Sequence, residues 1–183
     1  MDSQQKTILI ISTSQRKNGN SDTLAQQFRL GAEAAGHRVE YVSLAKKEIR
    51  FCVGCFACSG TQVCIHHDDA APIVAAMQQA DVLVFATPIY SNQICGQMKT
   101  LLDRTNAIYD TDYRFREIYL LTSATVPDPS VCDGAAVSLQ GWIDCFPKAS
   151  LKGVLRGAGL EQVGDANKRP DYLRQAYDLG LQV

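Results

Sequence analysis

Thr7-Ile8-Leu9-Ile10-Ile11-Ser12-Thr13-Ser14-Gln15-Arg16-Lys17-Asn18-Gly19-Asn20-Ser21 decides how the rest of the chain reads. Ile8 to Ile11 form an unbroken apolar run, which suits a strand buried on both faces. The run empties into a polar turn of hydroxyls, an arginine and Asn-Gly-Asn. A helical pattern follows, with Leu24, Phe28, Ala32 and Ala35 on one face. Free N–H groups in a first helical turn, and the positive end of its dipole, attract an anion held in such a loop. Ser14 and Ser21 bring hydroxyls, Asn20 an amide and Arg16 a permanently charged fork of donors. Two readings fit: a phosphate cradle, or an ordinary strand–turn–helix in which Ser21 is the N-cap.

Two familiar phosphate loops are excluded. The chain has no G-x-x-x-x-G-K-[ST], and no G-x-G-x-x-G follows the first strand, so a mononucleotide or other phosphate monoester suits the cradle better than a dinucleotide. At 183 residues and 46% hydrophobic, the chain can build one domain with a sizeable core. Its net charge of −1 argues against a nucleic-acid partner. The start, Met1 to Lys6, is polar, and no apolar run approaches the ~20 residues a bilayer span needs, so no membrane is expected. Seven cysteines without a secretion signal read as thiols or ligands in a reducing cytoplasm.

Strand and helix patterns alternate. Gly36 is a plausible C-cap before a second strand from Arg38 to Leu44. Asp68-Asp69 ahead of Pro72 is a helix-start signature. Asp81 to Thr87 is a third strand ended by Pro88, with a helix after it through Ile94, Met98, Leu101, Leu102 and Thr105. Glu117 to Ser123 is a fourth strand and Leu151 to Arg156 a weak fifth, separated by a helix from Ala135 to near Cys145. Pro170 opens a last helix. The order predicts an α/β, flavodoxin-like sheet: five parallel strands, order 2-1-3-4-5, helices on both faces, ligand beyond the strand ends at the switch between strands one and three. Residues 1–183 read as a single domain, with a cysteine-rich insertion loop around 50–67.

Within that loop, Cys52-x2-Cys55-x2-Cys58-x5-Cys64 places four thiols within thirteen residues. Fe–S clusters take four thiolates, tetrahedral zinc accepts four, and small cysteines also serve as packing. Cys95, Cys132 and Cys145 have no partner at ligand spacing, and His66 and His67 read as solvated loop residues.

Ser14 to Ser21 resembles the S-P-R-x-x-G-N-[ST] loop of flavodoxin-like NAD(P)H-dependent FMN reductases, with Gln15 where that family usually has proline. Thr87-Pro88-Ile89-Tyr90, followed by Met98-Lys99-Thr100-Leu101-Leu102-Asp103-Arg104, resembles the family's S-P-[IV]-Y…[LM]-K-x-[FL]-[IL]-D-R signature. The resemblance implies that Ser12, Ser14, Arg16, Gly19, Asn20 and Ser21 hold the FMN phosphate. It implies that Pro88, Ile89, Tyr90, Ser91 and Asn92 line the isoalloxazine ring, with Thr122 and Ser123 reaching it. Asp103 and Arg104 then read as salt-bridge or interface residues, and no residue is assigned as catalytic. The cysteine motif resembles that of the iron–sulfur flavoproteins, where a [4Fe–4S] cluster exchanges electrons with FMN; cluster-free FMN reductases also carry a C-x-G-C-x-x-C loop. The implied activity is reduction of a flavin, quinone or other small acceptor with NAD(P)H as co-substrate, by a homodimer or homotetramer. The alternatives are an electron-transfer protein with FMN and a cluster, and a sensor whose thiols bind zinc or oxidise.

Overall fold

The computed structural model describes residues 5–183, so the expectation for the polar start falls partly outside the described residues. Among the described residues six strands occur: β1 (Thr7–Ser12), β2 (Arg38–Ser43), β3 (Val82–Tyr90), β4 (Gln93–Ile94), β5 (Glu117–Ser123) and β6 (Ser150–Gly157). Among them run the helices α1 (Asn20–Ala34), α2 (Cys58–Thr61), α3 (Ala70–Gln79), α4 (Gly96–Asp103), α5 (Asp133–Ile143) and α6 (Pro170–Leu181). Five strands form a parallel sheet in the order β2-β1-β3-β5-β6, the expected winding. Ile8 pairs with Val39 on one side and Val82 on the other, which places β1 in the sheet interior between β2 and β3.

Strand alternation explains the two cores. Leu9 and Ile11 of β1, with Leu83 and Phe85 of β3, pack against α3, α4 and α5 through Met77, Met98 and Trp142. Ile8, Ile10, Val82 and Val84 face the other way, onto Leu24 and Phe28 of α1 and Ala176 of α6. The apolar run of β1 is therefore divided evenly between the faces, as a doubly covered strand requires.

α1 and α6 cross at glycines. A Cβ on Gly31 would lie 2.0 Å from the Tyr177 carbonyl oxygen, and one on Gly180 would lie 2.0 Å from that of Phe28. Backbone blocks the added atom at both positions, so no side chain can rotate to relieve it. Gly31→Ala should cost about 1–3 kcal/mol of stability, the usual range for overpacking. Urea unfolding measures it; an unchanged midpoint would mean that the helices can separate freely.

One correction concerns the strand after α3. It runs on to Tyr90 instead of ending at Pro88, and a sixth strand, β4, folds back on it. Pro88 stands beyond Ala86, the last residue paired to β1, so its missing N–H breaks no bond on that side. Tyr90 pairs with Gln93, and the two residues between them, Ser91 and Asn92, have φ of 50° and 59°. Two successive left-handed residues make a type I′ hairpin, and asparagine tolerates that conformation well. The next helix consequently starts at Gly96, two residues past Ile94.

Candidate functional site

The loops after β1, β3, β5 and β6 meet at one edge of the sheet around a shallow, open hollow. Ser14, Arg16, Gly19, Asn20 and Ser21 supply its first wall. The Ser14 hydroxyl oxygen accepts from the Arg16 amide at 3.2 Å, which curls the loop. Gly19 is the N-cap of α1 and makes no side-chain cap, so the reading of Ser21 as N-cap is corrected. Ser21 sits inside the first turn, its Oγ buried with no hydrogen-bond partner among the described residues. The amides of Asn20, Ser21 and Asp22 lie in that turn, where helical N–H groups have no carbonyl to bond. The Asp22 carboxylate, which would repel an anion, is engaged by the Tyr41 hydroxyl on β2.

Pro88, Ile89 and Tyr90 form a second wall, Ser123 and Thr125 a third, and Leu160 and Glu161 a fourth. Tyr90 is 54% exposed, an aromatic face at the rim. The last wall was not legible beforehand, because residues after β6 carry no motif. It is tied in by two residues of the first loop. Arg16 Nη1 donates to the Glu161 carbonyl at 3.0 Å. Asn20 donates to the Gln162 carbonyl at 2.9 Å and accepts from the Ala166 amide at 3.0 Å. The Asn20 side chain therefore joins two segments, with its carbonyl and one of its two amide N–H bonds engaged.

Four other expected site residues do not line the hollow. Thr122 is buried and its Oγ1 donates to the Leu155 carbonyl at 2.8 Å, across the sheet, because alternation turns it away from Ser123. Ser12 is buried at the last position of β1. Ser91 and Asn92 occupy the hairpin tip beyond the rim. Behind the cradle, the buried Cys95 thiol donates to Thr13 Oγ1 at 3.1 Å and accepts from Thr87 Oγ1 at 3.4 Å, bracing the ends of β1 and β3.

The second feature is the cysteine loop. Cys52, Cys55, Cys58 and Cys64 line one small hollow with His66 and Asn106. Gly54, Phe56 and Gln62 have φ of 64°, 56° and 57°, the turns that wrap so short a segment about a centre. Burial, and the nearby thiols of Cys64, Cys52 and Cys55, push the Cys58 thiol up; a backbone hydrogen bond opposes this. His66 is not a solvated histidine: its Nε2 is buried without a partner among the described residues.

Arg104 anchors this loop. Its Nη1 and Nη2 donate to the two Asp68 carboxylate oxygens at 2.7 and 3.1 Å, Nη1 also to the Arg50 carbonyl at 2.7 Å. Nη2 further donates to Cys64 Sγ at 3.2 Å. Burial alone would raise the Asp68 carboxyl, but hydrogen bonds from Arg104 and from the Arg50 and Ala70 amides bring it down to about 2. The reading of Arg104 as a salt-bridge residue holds, although its partner lies on another segment and Asp103 pairs separately with Lys99.

Residues 7–146 match the family described as NADPH-dependent FMN reductase. The chain belongs to this family. Among curated relatives, an iron–sulfur flavoprotein of Archaeoglobus fulgidus is 32% identical over 91 residues, covering 50% of this chain and 41% of the relative. Another, from Methanocaldococcus jannaschii, is 32% identical over 101 residues, covering 55% and 52%. The chain thus spans about half the length of these curated relatives, or less. The solved NAD(P)H:quinone oxidoreductase of Methanothermobacter marburgensis superposes with a TM-score of 0.78 at 17% identity, covering 97% of this chain and 96% of that one. An azoreductase of Bacillus anthracis gives 0.72 at 16%, covering 97% and 100%. At such identities these two establish the shared fold.

The residues present fit the family's FMN. The buried Ser21 hydroxyl and the first-turn amides offer unmatched donors to a phosphate. A Cβ on Gly19 would lie 2.3 Å from Ser14 Oγ, so a larger residue there would push that hydroxyl out of its place in the cradle. The thiol hollow gives a different answer for a single ion. Among the described residues, no group of three His, Cys, Asp or Glu side chains is gathered to hold one metal. Zinc needs all its sulfurs ~2.3 Å from one point. An Fe–S cluster is a larger body that takes its thiolates at separate irons, and four thiols around one hollow suit that donor set.

Proposed function

We propose that the chain is an FMN-dependent oxidoreductase that draws electrons from NAD(P)H and passes them to a flavin, quinone or other small acceptor. The observation that carries this is the unpartnered Ser21 hydroxyl, buried at the start of α1 beside Arg16 and Ser14. Bound FMN supplies hydride acceptance and the return of electrons. The chain's own part is positional. Ser14, Arg16, Ser21 and the first-turn amides would hold the phosphate, and a charged acceptor draws the Arg16 fork more strongly than the neutral Glu161 carbonyl does. Pro88, Ile89 and Tyr90 would form the ring's floor and rim, with Ser123 and Thr125 offering polar contacts opposite. No titratable side chain among these needs to move a proton, so selectivity rests on what can stack beside Tyr90.

The test is steady-state oxidation of NADPH and NADH by the FMN-loaded full chain, with menadione and free riboflavin as acceptors. We expect turnover with at least one pair, and loss of turnover when the flavin is stripped. A fully loaded protein that oxidises neither nucleotide would refute the reading.

A second reading is favoured by the thiol hollow and by the similarity to iron–sulfur flavoproteins: an electron-transfer flavoprotein in which Cys52, Cys55, Cys58 and Cys64 hold a [4Fe–4S] cluster. About four irons per chain after anaerobic purification would support it; iron-free protein would leave the first reading alone.

The same loop bears on assembly. Residues 51–65 contain no charged residue, yet Phe51 and Phe56 are 77% and 76% exposed and Val53, Val63 and Ile65 are also exposed. An uncharged apolar patch can meet its own copy about a two-fold axis without repulsion, and we read it as the contact of a homodimer or homotetramer. A purely monomeric species in sedimentation of the loaded chain would overturn this.

A further inference from the structure

The thiol hollow has a feature that its sulfur ligands do not explain. Two side chains from the turn after α4 point N–H groups at two of the sulfurs. Arg104 Nη2 donates to Cys64 Sγ at 3.2 Å, and Asn106 Nδ2 to Cys52 Sγ at 3.8 Å. The turn itself, Arg104–Ile108, is a 3-10 helix following directly on α4. Its tighter winding places residues 104 and 106 toward the cysteine loop while Ala107 and Ile108 stay buried. Arg104 cannot swing away. Its side chain is 1% exposed and clamped by both oxygens of Asp68 and by the Arg50 carbonyl. Asn106 is held less tightly, by the Asp103 carbonyl at 3.3 Å.

Donors aimed at cysteine sulfur are not needed for packing. A neutral thiol is a weak acceptor, and a buried guanidinium directed at one gains little. Sulfur that carries negative charge gains much more, because hydrogen bonds to ionised groups are roughly twice as strong. Arg104 Nη2 divides its two N–H bonds between Asp68 Oδ1 at 3.1 Å and Cys64 Sγ at 3.2 Å, so the Asp68 pair fixes the guanidinium while its second N–H is left to the sulfur. The arrangement is therefore matched to a centre whose sulfurs are anionic and become more so on reduction.

We infer that Arg104 and Asn106 are positioning residues that set the reduction potential of the four-thiol centre, by N–H···S bonds to Cys64 and Cys52. The inference rests on the cluster reading. One electron would enter the centre from the reduced flavin, which is oxidised by one electron in turn, and no atom is transferred. The added charge spreads onto the sulfurs, where the two N–H dipoles favour the reduced form; hydrogen bonds to the sulfurs are among the levers that set such potentials. Removing either donor lowers the midpoint.

The experiment uses the full chain purified anaerobically with its flavin. Iron and acid-labile sulfide are assayed, and potentials are read by EPR-monitored titration, with the flavin couple as internal reference. Asn106→Leu removes the donor from a half-exposed position. It should keep its iron and shift the cluster equilibrium toward the oxidised form by about tenfold, ~59 mV for one electron, leaving the flavin couple in place. Arg104→Lys keeps a cation for Asp68 but not the second N–H to Cys64. It should move the midpoint in the same direction and release iron to a chelator faster. Iron-loaded variants with the wild-type midpoint would overturn the inference while the cluster reading stands. Wild-type protein without iron would overturn both. Equal shifts of cluster and flavin would count against it too, as signs of a general structural change.

Discussion

Arg104→Met lowers the stability of the chain by about 3–5 kcal/mol, the range found when one member of a buried ion pair is removed. The side chains of Arg104 and Asp68 are 1% and 5% exposed, so the orphaned carboxylate has little water to turn to. Asp68 also accepts the Arg50 amide at 2.8 Å and the Ala70 amide at 3.1 Å, fastening the loop entry to the start of α3. The variant should unfold at lower urea concentration, and its cysteine loop should be cut by protease before the sheet opens. Asp68→Leu combined with Arg104→Met should recover part of the loss, because no charge is then stranded. The pair also makes an acid-sensitive contribution. With Asp68 held at about 2 when folded, against ~3.9 unfolded, its stabilisation is complete above pH ~4 and is lost as pH falls toward 2. The amount is about 2–3 kcal/mol, and the Asp68→Asn curve should be flatter than wild type across that window. A wild-type urea midpoint for Arg104→Met would show that the pair is incidental.

How far the sequence foretold this molecule depended on whether each signal was local. The apolar run of β1, the Asp68-Asp69-Pro72 start and the Pro170 start all rest on chemistry within a few residues, and the elements lie where the pattern put them. The β3–β4 hairpin was missed because Ser-Asn is a weaker turn signal than Asn-Gly, and because proline reads as a strand end unless its neighbours are known. In the hollow, Ser14, Arg16, Gly19 and Ser21 came from one contiguous loop and could be read together. Leu160 and Glu161 could not, since the loop after β6 joins the site only through its bonds to Arg16 and Asn20. Thr122 is out of phase with Ser123 along the strand, and its hydroxyl is spent on the Leu155 carbonyl. Arg104 was seen as an ion-pair residue, but its partner lies 36 positions away, and nothing local pointed from it to Cys64.

Gly19→Val should weaken FMN binding by about a hundredfold or more, equivalent to ~2.7 kcal/mol. The reason is space, not backbone freedom: Gly19 has φ −61° and ψ 157°, values open to any residue. An added Cβ would meet Ser14 Oγ at 2.3 Å, the Arg16 carbonyl oxygen at 3.2 Å and Ser14 Cβ at 3.3 Å. Ser14 would have to leave, breaking its bond to the Arg16 amide, and the first-turn amides would be screened by valine methyls. Arg16→Ala is the graded comparison. It removes one charged donor and leaves the loop's shape, so it should cost about 1.5–3 kcal/mol of binding, less at high salt because the side chain is exposed. Quenching of flavin fluorescence on titration into apoprotein measures both, with urea unfolding of the same apoproteins to show that the sheet is intact. If Gly19→Val takes up FMN as tightly as wild type while Arg16→Ala does not, the arginine reaches a phosphate held elsewhere. If neither loses affinity, the first loop is only a turn between β1 and α1.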